Sequence, residues 1–182
     1  NCYCITFKEE QAGYMAGYAV VKDGKTKLGF LGGMAVPAVI RYGYGYVQGA
    51  AAAAQELGTN IDINYFYGGQ FYGAANIPSR MEGWYSTGTQ VVFACGGGIY
   101  TSAAEAAQKV GAKVIGVDVD QAGIIDSKSG DKMPVTSAKT GLGATSLLPT
   151  ATTVWRTATT SVCPPMLTAG TSRPSPPTST RL

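Results

Sequence analysis

The sequence predicts an α/β protein built on a parallel sheet with helices on both faces. Helical and strand-like patterns alternate from about residue 7 to residue 119. The last two strand segments, residues 91–95 and 114–119, are continuous apolar runs, which are typical of strands buried on both faces. Glycines directly follow several predicted strands, which suits the tight strand-to-helix turns of this fold class.

The first two helices flank a short apolar strand. Tyr14 and Tyr18 lie four residues apart, which places them on one helical face and predicts a helix over residues 7–21. Residues 28–31 form the strand, which ends in two glycines. Pro37 suits the first turn of the next helix, and Gly58 stops that helix after residue 57.

The remaining elements repeat this alternation. Residues 61–67 alternate apolar and polar side chains, which predicts a strand, and residues 77–86 predict a helix. A last helix is predicted over residues 101–110, with Thr101 or Ser102 as its N-cap. We expect the four strand segments to form one parallel sheet with right-handed crossovers.

Composition excludes several kinds of chemistry. The chain of 182 residues has no histidine, which removes the Ser–His and Cys–His nucleophile pairs and histidine-ligated zinc. Its four cysteines lack metal-finger spacing, and Cys95 ends an apolar strand, where a buried free thiol is the simplest interpretation. The net charge of +3 forms no basic stripe, so a nucleic-acid partner is not expected, and no cofactor is expected.

The two ends of the chain differ from its body. Residues 140–182 contain 12 Thr, 5 Ser and 6 Pro and no acidic residue, so we expect this tail to be disordered or out of frame. In particular, residues 150–182 are expected to be cleaved first by protease.

No apolar run is long enough for a spanning helix. Asn1 opens inside a pattern, so we expect an upstream segment.

Three groups of residues at predicted strand ends could carry chemistry. Gly96, Gly97 and Gly98 form a strand-to-helix turn that can bring a backbone close to a ligand, or can be a turn without one. Asp118 follows about 20 residues later, as in dinucleotide-binding domains, but Thr101 occupies the third glycine position of that motif. Asp118 and Asp120 are two residues apart on one predicted strand, so their side chains are expected to point the same way. They are either hydrogen-bond acceptors for ligand hydroxyls, an acid–base couple or solvated charges.

Aromatic residues form the third group. Phe71 and Tyr72 follow the glycine stop of the strand at 61–67, so core packing explains them less well than stacking on a ligand does. Tyr42, on the preceding helix, is interpreted as a packing residue.

Four stretches in order resemble the basic membrane protein (BMP) family, substrate-binding lipoproteins of ABC importers that include purine nucleoside receptors. They span residues 7–17 (FKEEQAGYMAG), 27–34 (KLGFLGGM), 92–98 (VFACGGG) and 114–121 (VIGVDVDQ). The resemblance covers about residues 1–140. It implies one lobe of a two-lobed, periplasmic-binding-protein-like fold: residues 1–26 as the end of lobe one and the hinge, and 27–139 as lobe two.

The resemblance also implies ligand contacts. Phe71, in a Gly-Gln-Phe turn where the family has Gly-Ser-Phe, would stack on the base. Gly96, Gly97, Gly98 and Asp118 would hold the ribose, with Asp120 beside them. A family lysine in a Thr-Ser-x-x-Lys stretch also reaches the ribose, and Lys139 would take this place in a stretch that is one residue shorter.

The sequence therefore favours a non-catalytic solute receptor for a nucleoside, with an ABC permease as partner and a lipid anchor outside the cytoplasm. The opposing hypothesis is a nucleotide-dependent enzyme with a Rossmann-like domain, which the missing third glycine and the lack of a placed acid–base group argue against. A ligand-sensing regulator would need a DNA-binding helix pair upstream. Phe71, the glycine turn and Asp118 are expected to converge on one cleft.

Overall fold

A computed structural model describes residues 7–129 and 134–139 of the chain, without the side chains of 127–129. The tail at 140–182, Cys2, Cys4 and Cys163 lie outside the described residues, and so do the expectations about them. The elements in chain order are α1 (Glu9–Lys22), β1 (Lys27–Gly32), α2 (Pro37–Leu57), β2 (Asp62–Tyr67), α3 (Asn76–Ser86), β3 (Val91–Cys95), a 3-10 turn (Gly97–Ile99), α4 (Tyr100–Gln108), β4 (Lys113–Asp118), α5 (Ala122–Ser129) and β5 (Pro134–Lys139).

The strands form one parallel sheet in the order β2-β1-β3-β4-β5. The four predicted strands are all present within one or two residues of their expected bounds, and every pairing between them is parallel, as predicted. β2 lies on one side of β1, whereas β3 and β4 lie on the other. In such sheets the reversal of strand order opens a crevice at the carboxyl ends of the strands.

Two apolar cores cover the two faces of the sheet. One combines α1 and α2 with sheet residues such as Phe30 and Phe93, and the other combines α3, α4 and α5 with Val92 and Ala94. Since Phe93 is flanked in sequence by Val92 and Ala94, successive residues of β3 point to opposite faces. All five residues of β3 are buried, which explains why its sequence is a continuous apolar run.

α1 and α2 pack with their backbones in close contact. A Cβ atom added to Gly17 would lie 2.0 Å from the carbonyl oxygen of Tyr46, and one added to Gly45 would lie 2.0 Å from that of Glu10. Glycine is therefore the residue that permits this approach. α1 falls in the segment assigned to the end of lobe one and the hinge, yet its buried residues share a core with α2 and the sheet.

The structure corrects one sequence prediction and adds two elements that were not predicted. The helix after β3 has no side-chain cap, because the 3-10 turn runs directly into it at Tyr100; Thr101 instead donates its hydroxyl to the Gly98 carbonyl at 2.9 Å. The sequence analysis assigned no helix at α5 and no strand at β5. β5 is an edge strand with mostly exposed or half-buried residues, so it carries no apolar run.

Among the described helices, none combines the length and apolar character that a bilayer span requires.

Candidate functional site

A cleft of about 350 Å³ lies at the carboxyl ends of β1, β3 and β4. It lies where the strand order reverses, which is the usual ligand position in open α/β sheets. Four of its lining residues belong to the set that the sequence singled out: Phe71, Gly96, Gly97 and Asp118. The other lining residues are Phe7, Glu9, Val36, Ala38, Val39, Tyr42 and Cys95.

The glycine turn and Phe71 are fitted to one another. The Gly98 amide donates to the Phe71 carbonyl at 2.8 Å, and Gly97 adopts a left-handed φ of 52°. A Cβ at Gly96 would come within 2.9 Å of the Gly33 backbone, so the turn depends on glycine. The Phe71 ring lies over Gly33, where an added Cβ would be 2.5 Å from Cδ1, and Phe71 remains 36% exposed at the cleft.

Asp118 ends β4 in a strained conformation. Its φ of 65° is the one left-handed value among the described residues that are not glycine. Aspartate tolerates this region better than most residues, and such strain is found often at binding sites. Burial raises the pKa of the Asp118 carboxyl, and the nearby Glu9 charge adds to the rise, while a hydrogen bond from Tyr42 opposes it.

Tyr42 has a role that the sequence analysis missed. It does pack, as predicted: it is buried, with its ring 5.8 Å from that of Phe93. Its hydroxyl, however, lies 3.2 Å from Asp118 Oδ1 and 3.3 Å from the Ala138 carbonyl, so its single proton has two acceptors. Only the fold brings α2 to the end of β4, and no local pattern signals the contact.

Glu9 is a second carboxylate in the cleft wall. Its side chain is 7% exposed and accepts a hydrogen bond from Arg41 Nε at 2.6 Å. This bond to Glu9 raises the pKa of the Arg41 guanidinium. The pair joins the first turn of α1 to α2, and Arg41 neutralises a charge that would otherwise be costly to bury. The one sequence signal for this residue is that Glu9 and Glu10 form an acidic pair in the first turn of a helix.

Gly98, Asp120 and Lys139 do not line the cleft. β4 ends at Asp118, so Asp120 lies beyond the strand, contrary to the expectation that both residues share it. Asp120 Oδ1 accepts from the Ala122 amide at 3.1 Å, at the start of α5. Lys139 Nζ lies 4.0 Å from Asp120 Oδ2, and both side chains are more than half exposed.

Two further expectations concern cysteine and metal. Cys95 is free and buried, as expected, and burial raises the pKa of its thiol. Within residues 7–129 and 134–139, no group of three His, Cys, Asp or Glu residues could hold a metal ion.

A family model described as "ABC transporter substrate-binding protein PnrA-like" (Bmp) matches residues 1–145. The chain belongs to the Bmp family. Its curated relatives include the ABC transporter nucleoside-binding protein BmpA of Lactococcus lactis, which is 34% identical over 140 residues, covering 72% of this chain and 39% of that protein. Basic membrane protein D of Borreliella burgdorferi is 34% identical over 124 residues, covering 66% of this chain and 35% of that protein.

A solved solute-binding protein of an ABC transporter system from Aeropyrum pernix has the same fold. The TM-score is 0.55 at 21% identity, with 62% of this chain and 34% of that chain covered. The chain spans well under half the length of these curated relatives. The Bmp family consists of transporter substrate-binding proteins, which are not enzymes.

Proposed function

We propose that this Bmp chain forms most of one lobe of a receptor that binds a nucleoside, with a purine nucleoside favoured, and delivers it to an ABC permease. The supporting observation is the cleft itself, where an exposed ring, a glycine turn and a half-buried carboxylate face the same space. An aromatic ring can stack on a base, and a carboxylate can accept hydrogen bonds from ribose hydroxyls. A relative carries the name nucleoside-binding protein, which agrees with this chemistry.

In this proposal each predicted residue has a role. Phe71 stacks on the base, while Gly96, Gly97 and Asp118 surround the ribose. Gly98, outside the cleft lining, completes the turn through its hydrogen bond to the Phe71 carbonyl. Asp120 and Lys139 form an exposed pair at the rim, and Lys139 would reach a ligand only after leaving Asp120.

The proposed mechanism is closure of two lobes on the ligand, with the closed form recognised by the permease. Residues 27–139 form lobe two, and residues 1–26 carry the connection to lobe one. The tight packing of α1 on α2 would make that connection rigid on the side of lobe two. Substrate-binding proteins of ABC transporters are extracytoplasmic, and we propose a lipid anchor in the full-length protein.

The proposal can be tested in a chimera, because the chain alone supplies only half of a cleft and should bind weakly or not at all. The chimera carries the matched stretch, 72% of this chain, in place of its counterpart in the Lactococcus lactis relative. Calorimetry should show purine nucleoside bound more tightly than the free base, with no turnover. Absence of nucleoside binding by a folded chimera would refute the proposal, and turnover would favour the enzyme alternative.

Replacing Phe71 by alanine in the chimera should weaken nucleoside and free base alike, by about 1–3 kcal/mol, because stacking involves only the base. Phe71→Tyr preserves the ring and is the matched control. Calorimetry with both ligands measures the effect. A loss confined to the nucleoside would place Phe71 against the ribose instead.

Replacing Tyr42 by phenylalanine should weaken nucleoside binding more at acidic than at neutral pH. The Tyr42 hydroxyl stabilises the Asp118 carboxylate, so its loss raises the pKa of Asp118 further. As pH falls, the variant then loses the ribose acceptor earlier than the wild type does. Nucleoside affinity measured from about pH 8 to about pH 4.5 would show that the variant loses binding at a higher pH than the wild type. Tyr44→Phe, at a half-exposed position of the same helix, should leave the profile unchanged.

A further inference from the structure

We infer that Gln121 is a positioning residue that fixes the glycine turn and Asp118 relative to each other. The inference rests on the proposed function, because those two features are the ones proposed to hold the ribose. Gln121 is 6% exposed and lies outside the cleft lining. It therefore acts through its neighbours and not by touching the ligand.

The side-chain amide of Gln121 is bonded at both of its ends. Oε1 accepts from the Val117 amide at 3.0 Å, and Nε2 donates to the Gly97 carbonyl at 3.3 Å. Because Val117 offers a donor and Gly97 an acceptor, the orientation of the amide is fixed. The Gln121 backbone amide also donates to Ser137 Oγ at 3.1 Å, which ties the residue to β5.

This amide occupies a gap that the sheet leaves open. Pairing between β3 and β4 ends at Phe93 and Ile115, two residues before Val117. Gly116 leaves room for the side chain, since a Cβ there would lie 2.8 Å from Gln121 Oε1. Gln121 thus replaces the missing strand pairing with a side-chain bridge.

The bridge ends beside both proposed ribose contacts. Gly97 lines the cleft itself, and Val117 is the residue directly before Asp118. A change in either bond would shift the spacing between the glycine turn and the Asp118 carboxylate. Binding geometry is sensitive to displacements of this kind, because hydrogen bonds weaken steeply when misaligned.

Glutamate at this position separates the two bonds. In Gln121→Glu, the ionised side chain would still accept from Val117 but could not donate to Gly97, whereas the protonated side chain could do both. The bridge should therefore re-form in this variant as pH falls. The other ionisable groups near the bridge are Asp118 and, at the adjoining rim, Asp120 and Lys139. They are the same in the wild type and the variant, so the wild type controls for them.

The first measurement needs no ligand and uses the 182-residue chain. Amide exchange at Val117 should accelerate at least about tenfold in Gln121→Leu, which loses the acceptor, and stay near the wild-type rate in Gln121→Glu. The ¹⁵N shift of Gly98, which follows the Gly97 carbonyl, should move toward the wild-type value in Gln121→Glu as pH falls from about 8 to about 5. Unchanged Val117 exchange in a folded Gln121→Leu chain would overturn the inference.

The second measurement follows nucleoside affinity in the chimera. Wild-type affinity should decrease as the pH is lowered, because Asp118 becomes protonated. Gln121→Glu should start about tenfold weaker near pH 8 and lose less, or gain, over the same range. Parallel pH profiles would remove the positioning role while leaving the receptor proposal intact. A folded wild-type chimera that binds no nucleoside would instead refute the proposed function, and with it the role of Gln121 in ribose binding.

Discussion

Alanine at position 118 is expected to weaken nucleoside binding by about 1.5–3 kcal/mol, or roughly ten- to a hundredfold. This is the usual contribution of a hydrogen bond to a charged group, and Asp118 is the carboxylate proposed to accept from the ribose. Calorimetry on the chimera measures it. The free base, which has no ribose, should bind almost equally to wild type and variant. Equal nucleoside affinity in both would remove the ribose role of Asp118.

Asparagine at the same position serves as the matched control. It keeps the shape and tolerates the left-handed φ of 65°, but it cannot accept at both oxygens. Since the folded-state pKa of Asp118 is raised, the native state holds this proton more tightly than the unfolded state does. The ionised side chain therefore costs stability above that pKa. Asp118→Asn should raise the thermal midpoint at neutral pH, and the gain should shrink as pH falls toward the unfolded pKa.

Alanine at Gly17 is expected to destabilise the chain by about 3 kcal/mol, the upper range for overpacking a close contact. Its Cβ would lie 2.0 Å from the Tyr46 carbonyl oxygen and 2.9 Å from the Ala50 amide nitrogen, both backbone atoms. Neither can move aside as a flexible side chain could, so the two helices must separate.

Urea unfolding of the 182-residue chain measures this loss, with Gly83→Ala as the control. A Cβ at Gly83, inside α3, meets nothing within 4 Å. Alanine there should therefore stabilise the helix by up to about 1 kcal/mol. Similar effects of the two substitutions would show that helix propensity, and not the α1–α2 contact, decides the outcome at Gly17.

The sequence predicted the interior of the fold better than its edge. β3 and β4 are buried on both faces, so their patterns are strong, and glycines mark the ends of β1 and β3. β5 pairs on one side only and exposes several residues, among them Val135, so no periodicity distinguishes it from a loop. Apolar periodicity in a sequence arises from burial, so an edge strand with several exposed residues has only a weak pattern.

The candidate site, too, could be predicted from the sequence only in part. Phe71, Gly97 and Asp118 lie at or shortly after the carboxyl ends of strands, so the topology alone brings them to one edge. Tyr42 and Glu9 come from helices whose position depends on packing that no local pattern encodes. Asp120 was wrongly expected on the same strand as Asp118, because β4 ends at Asp118, where φ is 65°. A single residue of left-handed backbone is not visible in a strand-like pattern.

The glycine contacts between α1 and α2 also have a mechanical consequence. Helices that touch backbone to backbone cannot slide or tilt independently, because close packing leaves no slack to absorb the motion. The two helices are therefore expected to move as one unit, with Glu9 in the cleft wall and paired with Arg41. A displacement of the chain ahead of α1 would then be transmitted to this wall of the cleft through both helices together.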